Sequence, residues 1–516
     1  MEGRLQRPAR VGSSTLQSGE GRSTPAIDPR ARREARASER FAAKKSSVAR
    51  PGGGAQAATA PPIRAPAAAA AAASDQRNDG GQSVVRIKPM GAGGGGGEAS
   101  AAPDVAPMQF SCDPPAVHVG AKEFRYPRHI IGPERDQQSL FDEFMPARID
   151  AFLDGHNVNV MAYGQTGSGK THTVFGPPGL MAKAGAGQLG LGVVDDYGIF
   201  PRGLWTIYER VKALNATTAD TTYFLTASCV ELSMMGNLDM LVKSHDERNA
   251  ERDKSWSSRQ GSGPQLDKFS KPPRLYGMVE LPMETPDDVL RIFAAIASRN
   301  TAGTLMNDSS SRSHCVCWLT LFARNIAADA VRRSRFQFVD LAGSERVKEA
   351  SGSAEGLWSG GTATEGLCTN WSLMMLSRAA RDIIASETRG TGKKRGKQKL
   401  AHTAGYIGDL VPLLADSLTS DALTAVFVCV SQAPDNAAQS KIALDFGKVF
   451  SKLKMGTKQQ PLQARAKLVK ELLAKQQEND ATLARGVAGK FQAVRMGQQL
   501  DYLQVLAAME KLGDSS

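Results

Sequence analysis

Cysteine is scarce in this chain: six residues among 516, namely Cys112, Cys229, Cys315, Cys317, Cys368 and Cys429, with no CxxC pair. A chain of this length needs no covalent staples, so the six read as reduced thiols of a cytosolic protein. Apolar runs of about 18 residues are also lacking, which excludes a membrane-spanning helix. The N-terminus has no apolar signal core. It is Arg-rich, as transit peptides are, but Glu2, Glu20, Glu34 and Glu39 count against that reading. Beyond Lys454 no heptad pattern is sustained, which excludes a long coiled coil. Aromatic residues make up 6% of the chain and do not interleave with the basic stretches, so no specific nucleic-acid surface is expected.

What is present divides into three parts. Hydrophobic residues reach 41%, enough to bury a sizeable core, and the net charge is +12. Residues 1–80 hold fourteen Lys/Arg and seven Asp/Glu, and so contribute +7 of that charge. With few large apolar residues they cannot offset their chain entropy by burial, and they read as a disordered basic arm. That arm is either a passive tail or a holdfast for an acidic polymer. From Ser83 onward strand-like and helix-like segments alternate. Strands are expected at Ser83–Ile87, Asn157–Tyr163, Thr222–Glu231, Cys315–Ala323, Arg335–Leu341 and Leu423–Ser431, and helical spacing at Asp287–Ser298 and Leu373–Ala385. This is the pattern of an α/β fold, a central, mostly parallel sheet flanked by helices, over 81–455. Residues 456–516 read as a short helical neck and tail, with Pro461 opening one helix and a second expected from Lys490 to Lys511.

Three segments carry chemistry. Gly164-Gln165-Thr166-Gly167-Ser168-Gly169-Lys170-Thr171 fits the P-loop pattern G-x-x-x-x-G-K-[ST] after an apolar strand. Its glycines allow backbone N–H groups to approach phosphate, Lys170 offers a cation to the β/γ-phosphates, and Thr171 a hydroxyl to Mg²⁺. Asn307–His314 is a hydroxyl-rich run, with Ser310, Ser311 and Arg312 just before a strand. Asp340-Leu341-Ala342-Gly343-Ser344-Glu345 closes another strand, where Asp340 can hold a metal through water and Gly343 can offer an N–H to γ-phosphate. Each of the last two alone could be an ordinary polar turn. Together, and in this order, they read as an ATP site with sensors for the terminal phosphate.

The three segments resemble the kinesin motor family, whose P-loop, first switch (N-x-x-S-S-R-S-H) and second switch (D-L-A-G-S-E) all match without substitution. Tyr163, His172-Thr173, Asp196–Arg202, Thr304–Asn307 and Glu365–Leu373 extend the likeness, which covers residues 81 to about 455. The resemblance implies a P-loop NTPase motor domain, a microtubule-dependent ATP hydrolase using ATP and Mg²⁺. It also implies roles. Arg86, Lys88 and Pro89 would lie beside the adenine, with Lys88 replacing an Arg, and His172 would pack on the ring. Ser310 and Ser311 would contact γ-phosphate and Mg²⁺, and Arg312 would pair with Glu345 to fix the attacking water.

The track-facing side departs from the family. Ala404–Val411 stands where kinesins carry P-Y-R-D-S-K-L-T, so Asp409 replaces a Lys; Trp371 replaces another, and Leu423 an Arg. The E-I-Y-N-E strand end becomes Glu231-Leu232-Ser233-Met234-Met235. Beside this loss lies a run of cations without acids, Arg389, Lys393, Lys394, Arg395, Lys397 and Lys399, in a loop the family turns toward the microtubule. Such a loop can hold acidic tubulin tails through salt-sensitive attraction. The expected protein is a kinesin-like, microtubule-associated ATPase, a monomer or weak dimer of the cytoplasm and its microtubules, with flagellum or spindle as finer sites. The alternative is an ATP-binding microtubule scaffold with little or no motility.

Overall fold

The computed structural model describes residues 82–90, 108–125, 129–233, 236–242, 263–267, 270, 273–300, 313–344, 362–388, 408–419, 421–453, 458–487 and 490–513. The expected basic arm and residues 243–262 and 389–407 lie outside these residues. The strands are β1 Gln82–Ile87, β2 Gln109–Cys112, β3 Pro115–Val119, β4 Lys122–Phe124, β5 His129–Ile131, β6 Val158–Tyr163, β7 Thr221–Ser233, β8 Gly236–Asp239, β9 Gln265–Asp267, β10 Arg274–Tyr276, β11 Leu281–Pro282, β12 His314–Asn325, β13 Ala330–Asp340, β14 Leu423–Val430 and β15 Gln463–Ala464. The helices are α1 Gln137–Phe144, α2 Pro146–Leu153, α3 Lys170–Val174, α4 Leu180–Gly185, α5 Ile199–Thr217, α6 Pro286–Asn300, α7 Thr362–Thr388, α8 Leu410–Leu413, α9 Ala415–Leu418, α10 Ala437–Phe450, α11 Arg465–Ala484 and α12 Lys490–Gly513.

A 10-stranded sheet runs β11-β7-β12-β13-β6-β14-β1-β5, with β8 added to β7 and β15 to β13. It is mixed. From β13 through β6, β14 and β1 to β5 every pairing is parallel, while β13, β12, β7 and β11 pair antiparallel. The parallel half holds the most apolar strands. All six residues of β6 are buried, as a strand covered on both faces requires. The expected strands are present, most of them extended by a residue or more at their ends. The three-stranded hairpin β2-β3-β4 was not foreseen, because its strands are only 4, 5 and 3 residues long.

Two apolar layers cover the sheet. One gathers Phe144, Phe152, Phe200, Trp205 and Phe293 with the inward residues of β6 and β13. The other gathers Leu376, Ile383, Leu414, Phe446 and Phe450 against Val85, Met161, Val339 and Val428. The tyrosine that ends β6, Tyr163, stacks on Phe446 at 3.9 Å between ring centroids.

Helix α6 begins with a side-chain cap. Pro286 takes the first helical position, where no N–H is needed, and the Asp288 carboxylate accepts from the Thr285 N–H at 2.9 Å and the Thr285 hydroxyl at 2.8 Å. Its last turn carries Arg299, a residue on which the site below depends. Asp288→Ala removes the acceptor from those groups and should cost about 1 kcal/mol, a fall in Tm of roughly 2–4 °C by calorimetry.

Candidate functional site

The P-loop turns directly out of β6. Gly164 lies where a Cβ would come 2.2 Å from the backbone O of Cys429 in β14, so only glycine lets the chain pass. Gly167 and Gly169 adopt φ of 76° and 99°, a region costly for other residues. The Ser168 hydroxyl donates to Gln165 O at 2.8 Å and so does Lys170 Nζ, also at 2.8 Å. Lys170 is thus buried within the arch of the loop, at 7% exposure. Opposite, the Ser344 N–H donates to Gly164 O at 3.1 Å and Leu341 N–H to Ala162 O at 3.3 Å. These two bonds draw the run Asp340–Ser344, and with it Gly343, along the P-loop strand.

One carboxylate joins the elements. Asp340 Oδ2 accepts from the Thr171 hydroxyl at 2.8 Å and from Arg299 Nη1 at 2.8 Å, with Asp340 and Arg299 each 1% exposed. The second guanidinium nitrogen of Arg299 donates to Ser313 O at 2.8 Å. The Ser313 hydroxyl in turn donates to Glu231 on β7. Desolvation by burial, the largest effect, lowers the Arg299 pKa, but three neighbours, Cys315, Asp340 and Glu231, together raise it above the ordinary value and the guanidinium stays charged. Sequence reasoning passed over Arg299. It stands at the end of an unremarkable amphipathic helix, and nothing in its local pattern tells that the helix points it under a strand 41 residues away.

His314 forms a second link. Its Nδ1 accepts from the Ala342 N–H at 3.1 Å, which leaves Nε2–H to donate to the Ser372 hydroxyl at 2.7 Å, and that hydroxyl donates to Thr369 O at 2.6 Å. Thus the strand after the first hydroxyl-rich segment, the Asp340–Ser344 run and α7 are held by one imidazole. Full burial, and then the charges of Arg299 and Lys170, push the His314 pKa down to about 3.

On the other rim, Arg86 Nη1 donates to Gln137 Oε1 at 3.0 Å and to the Thr173 hydroxyl at 2.9 Å, bracing α3. Lys88 Nζ donates to Gly167 O at 2.9 Å, and Pro89 follows it exposed. His172 lies beside them, with Nδ1 3.1 Å from Gln137 Nε2. Burial, followed by the Arg86 charge, lowers its pKa. Gln137 is a second residue that sequence reasoning missed.

Structure therefore brings together Arg86, Lys88, Pro89, Gly164–His172, Asp340 and Gly343. Ser310, Ser311, Arg312, Glu345, Arg389, Lys393, Lys394, Arg395, Lys397 and Lys399 lie outside the described residues. At the departures noted above, Asp409 Oδ2 accepts from Asn237 Nδ2 on β8 at 2.8 Å, so the carboxylate that replaces a family lysine is tied to the sheet. Trp371 and Met374 stand exposed on α7.

The neutral, buried His314 gives a pH expectation. Its folded pKa lies below the unfolded value near 6.5, so the stability it contributes is whole above that value and is lost as pH falls toward 3. Between pH 6.5 and 5.5 the loss should be about 1 kcal/mol. Denaturant unfolding at the two pH values should report it, and His314→Gln should flatten the dependence by the same amount.

Comparison with known proteins agrees with this geometry. The family model of the kinesin motor domain matches residues 105–453. Kinesin-like protein KIN-4C of Oryza sativa subsp. japonica is 28% identical over 351 residues, covering 63% of this chain and 24% of that one. Carboxy-terminal kinesin 2 of Xenopus laevis is 29% identical over 328 residues, covering 64% and 44%. The chain thus spans less than half the length of these relatives. A solved structure of a fast kinesin superposes with a TM-score of 0.55 at 22% identity, covering 73% of this chain and 93% of that one, a likeness of fold. With a family match over well more than half its length, the chain belongs to the kinesin motor-domain family.

Proposed function

We propose that this chain binds ATP with Mg²⁺ at the P-loop, hydrolyses it, and couples turnover to microtubule binding. The observation that carries the reading is the Thr171–Asp340–Arg299 chain, which ties the P-loop hydroxyl to the end of β13 inside the protein. The site fits a hydrated cation: Asp340 Oδ1 is a buried carboxylate oxygen with no hydrogen-bond partner among the described residues, next to the Thr171 hydroxyl. Thr171 and Ser311 would hold Mg²⁺ directly and Asp340 through water. When bound, the cation would neutralise charge on the β/γ-phosphates.

The chain's own residues do the rest. Gly164, Gln165, Thr166, Gly167, Ser168 and Gly169 wrap the phosphates, and Lys170 exchanges its bond to Gln165 O for phosphate oxygens. Arg86, Lys88, Pro89 and His172 border the base. Ser310, Ser311 and Gly343 contact the terminal phosphate, and Arg312 with Glu345 orients the attacking water, so that positioning supplies most of the rate. Residues 81–455 act as the motor unit and 456–516 as neck and tail.

A second reading, an ATP-binding microtubule scaffold that scarcely moves, is favoured by Asp409 being tied to Asn237 and by the exposed Trp371 standing where a cation is usual. In both readings Arg389, Lys393, Lys394, Arg395, Lys397 and Lys399 hold acidic tubulin tails. No helix among the described residues is long and apolar enough to cross a membrane. We favour a monomer or weak dimer on cytoplasmic microtubules.

Lys170→Ala should lower ATP turnover by at least about 100-fold while leaving Tm within a few degrees, because a phosphate-contacting cation acts mainly in the transition state. Unchanged turnover would remove the site assignment. Microtubule co-sedimentation and stimulated ATPase should both fall steeply between 50 and 200 mM salt, on the order of 10-fold, as for exposed charges. Salt-resistant binding with brisk gliding would contradict both the electrostatic contact and the poor coupling.

A further inference from the structure

Away from the nucleotide site, a cavity of about 590 Å³ lies where α5, the first residues of β7, the chain after β11 and the last turn of α12 meet. Its volume is that of pockets that enclose a small molecule. Four buried side chains make an apolar wall: Val211 of α5, Leu225 of β7, Met283 after β11 and Leu512 of α12. Tyr208, Tyr223 and Phe224 add aromatic rings to the lining. Lys212, Asn215 and Glu284 are exposed, so the cavity opens to solvent on their side. No lining residue belongs to the nucleotide site.

The walls are held by contacts of their own. Asn215 closes the edge of β7: its Nδ2 donates to Tyr223 O at 2.9 Å and its Oδ1 accepts from the Tyr223 N–H at 2.8 Å. Two residues on, Leu225 O accepts from the Met283 N–H at 2.9 Å. In the turn between β12 and β13, the Ile326 N–H donates to Asp220 O at 2.9 Å. Leu512 is fixed by Arg324, whose Nη1 donates to its carbonyl at 2.6 Å, and by belonging to the same apolar cluster as Phe322 and Val331. The charged residues of the lining are Lys212, Glu284 and Lys511. Lys511 and Glu284 pair with each other at 3.1 Å, which leaves the Lys212 charge in excess.

These features decide between two kinds of occupant. A peptide added to β7 as a further strand needs free backbone groups along that edge, and Asn215 and Met283 already take those of Tyr223 and the carbonyl of Leu225. A compact molecule needs only the side-chain walls. We propose that this cavity binds a small amphipathic anion, with an apolar ring system against Val211, Leu225, Met283 and Leu512 and a carboxylate or sulfonate toward Lys212. The apolar wall sets the body of the ligand, and the excess cation at the opening sets the sign of its head group. Because α5 and α12 each supply part of the wall, a bound molecule ties the C-terminal helix to the motor unit.

The probe is anilinonaphthalene sulfonate, an aromatic body with one anionic group, whose fluorescence rises when it leaves water. Titrated into the full chain, it should saturate at a single site with a Kd on the order of tens of micromolar, as for other ligands of its size. Thr222→Trp puts an indole into the cavity from β7 and should weaken binding by at least about 10-fold. Lys212→Glu changes an exposed residue, leaves the core untouched and should weaken binding by at least about 5-fold. Circular dichroism and Tm check the fold of both variants; should Thr222→Trp fail to fold, Lys212→Glu decides alone. Equal binding in the variants and the unaltered chain overturns the proposal, because the dye then sits elsewhere, as on the exposed Trp371 and Met374. Displacement of the dye by MgADP overturns it as well, since the dye is then in the nucleotide site. So does the absence of saturable binding, and so does binding that Lys212→Glu leaves unchanged, which removes the anion.

Discussion

A buried carboxylate governs this molecule. Asp340 sits in the interior at the end of a central strand, where an unpaired ion would cost several kcal/mol. Arg299 offsets that cost, and the arginine is itself tolerable there because Asp340 and Ser313 O accept its hydrogen bonds. Neither residue is cheap, and a well-packed apolar pair would hold the sheet as firmly. What the ion pair adds is a charged oxygen aimed at the Thr171 hydroxyl, at the head of the P-loop helix. The pair therefore fixes relations among α6, β12, β13 and α3, and the rest of the site is built around that fixed point.

The sheet explains why the fixed point lies where it does. Parallel strands need crossovers, and their carboxyl ends open toward loops on one edge, where ligands of open α/β sheets gather. β6 delivers the P-loop there, β13 delivers Asp340 and Gly343, and β14 supplies the Cys429 carbonyl against which Gly164 must stay a glycine. The antiparallel half does different work. Its long strands β7 and β12 carry Glu231 and Ser313–His314 to the same edge, and their other ends receive the C-terminal helices.

Much of this was legible in the chain, and for a definable reason. A phosphate cradle is made by consecutive backbone groups, so the P-loop must appear as consecutive residues, and Gly164–Thr171 did. The strand Val158–Tyr163 was legible because burial on both faces demands a predominantly apolar run, here broken only by Asn159. Arg299, Gln137 and Glu231 were not assigned a part in the site, since each works through a partner distant in sequence and leaves no local trace. Asp409 was read as the loss of a track-facing cation. Its bond to Asn237 shows that the same substitution also ties the start of α8 to β8, a gain that no single-residue reading contains. The mixed sheet was harder still, because strand direction is set by the connections, and β7, β12 and β13 look alike in composition to parallel strands.

The His314 link gives the departures their meaning. One imidazole holds Ala342 at the nucleotide edge and Ser372 on α7, and burial keeps it neutral, so it transmits position and not charge. Movement of the Asp340–Ser344 run must then either carry α7 with it or break a buried hydrogen bond, which costs roughly 1–3 kcal/mol. The face of α7 that would meet a partner bears Trp371 and Met374, one residue before and two after that serine. Trp371 thus stands on the exposed side of α7, while the adjacent Ser372 keeps its inward bond to His314. The nucleotide side and the outer side of α7 can thus diverge independently, which is why an intact set of switch motifs coexists in one chain with an altered outer face.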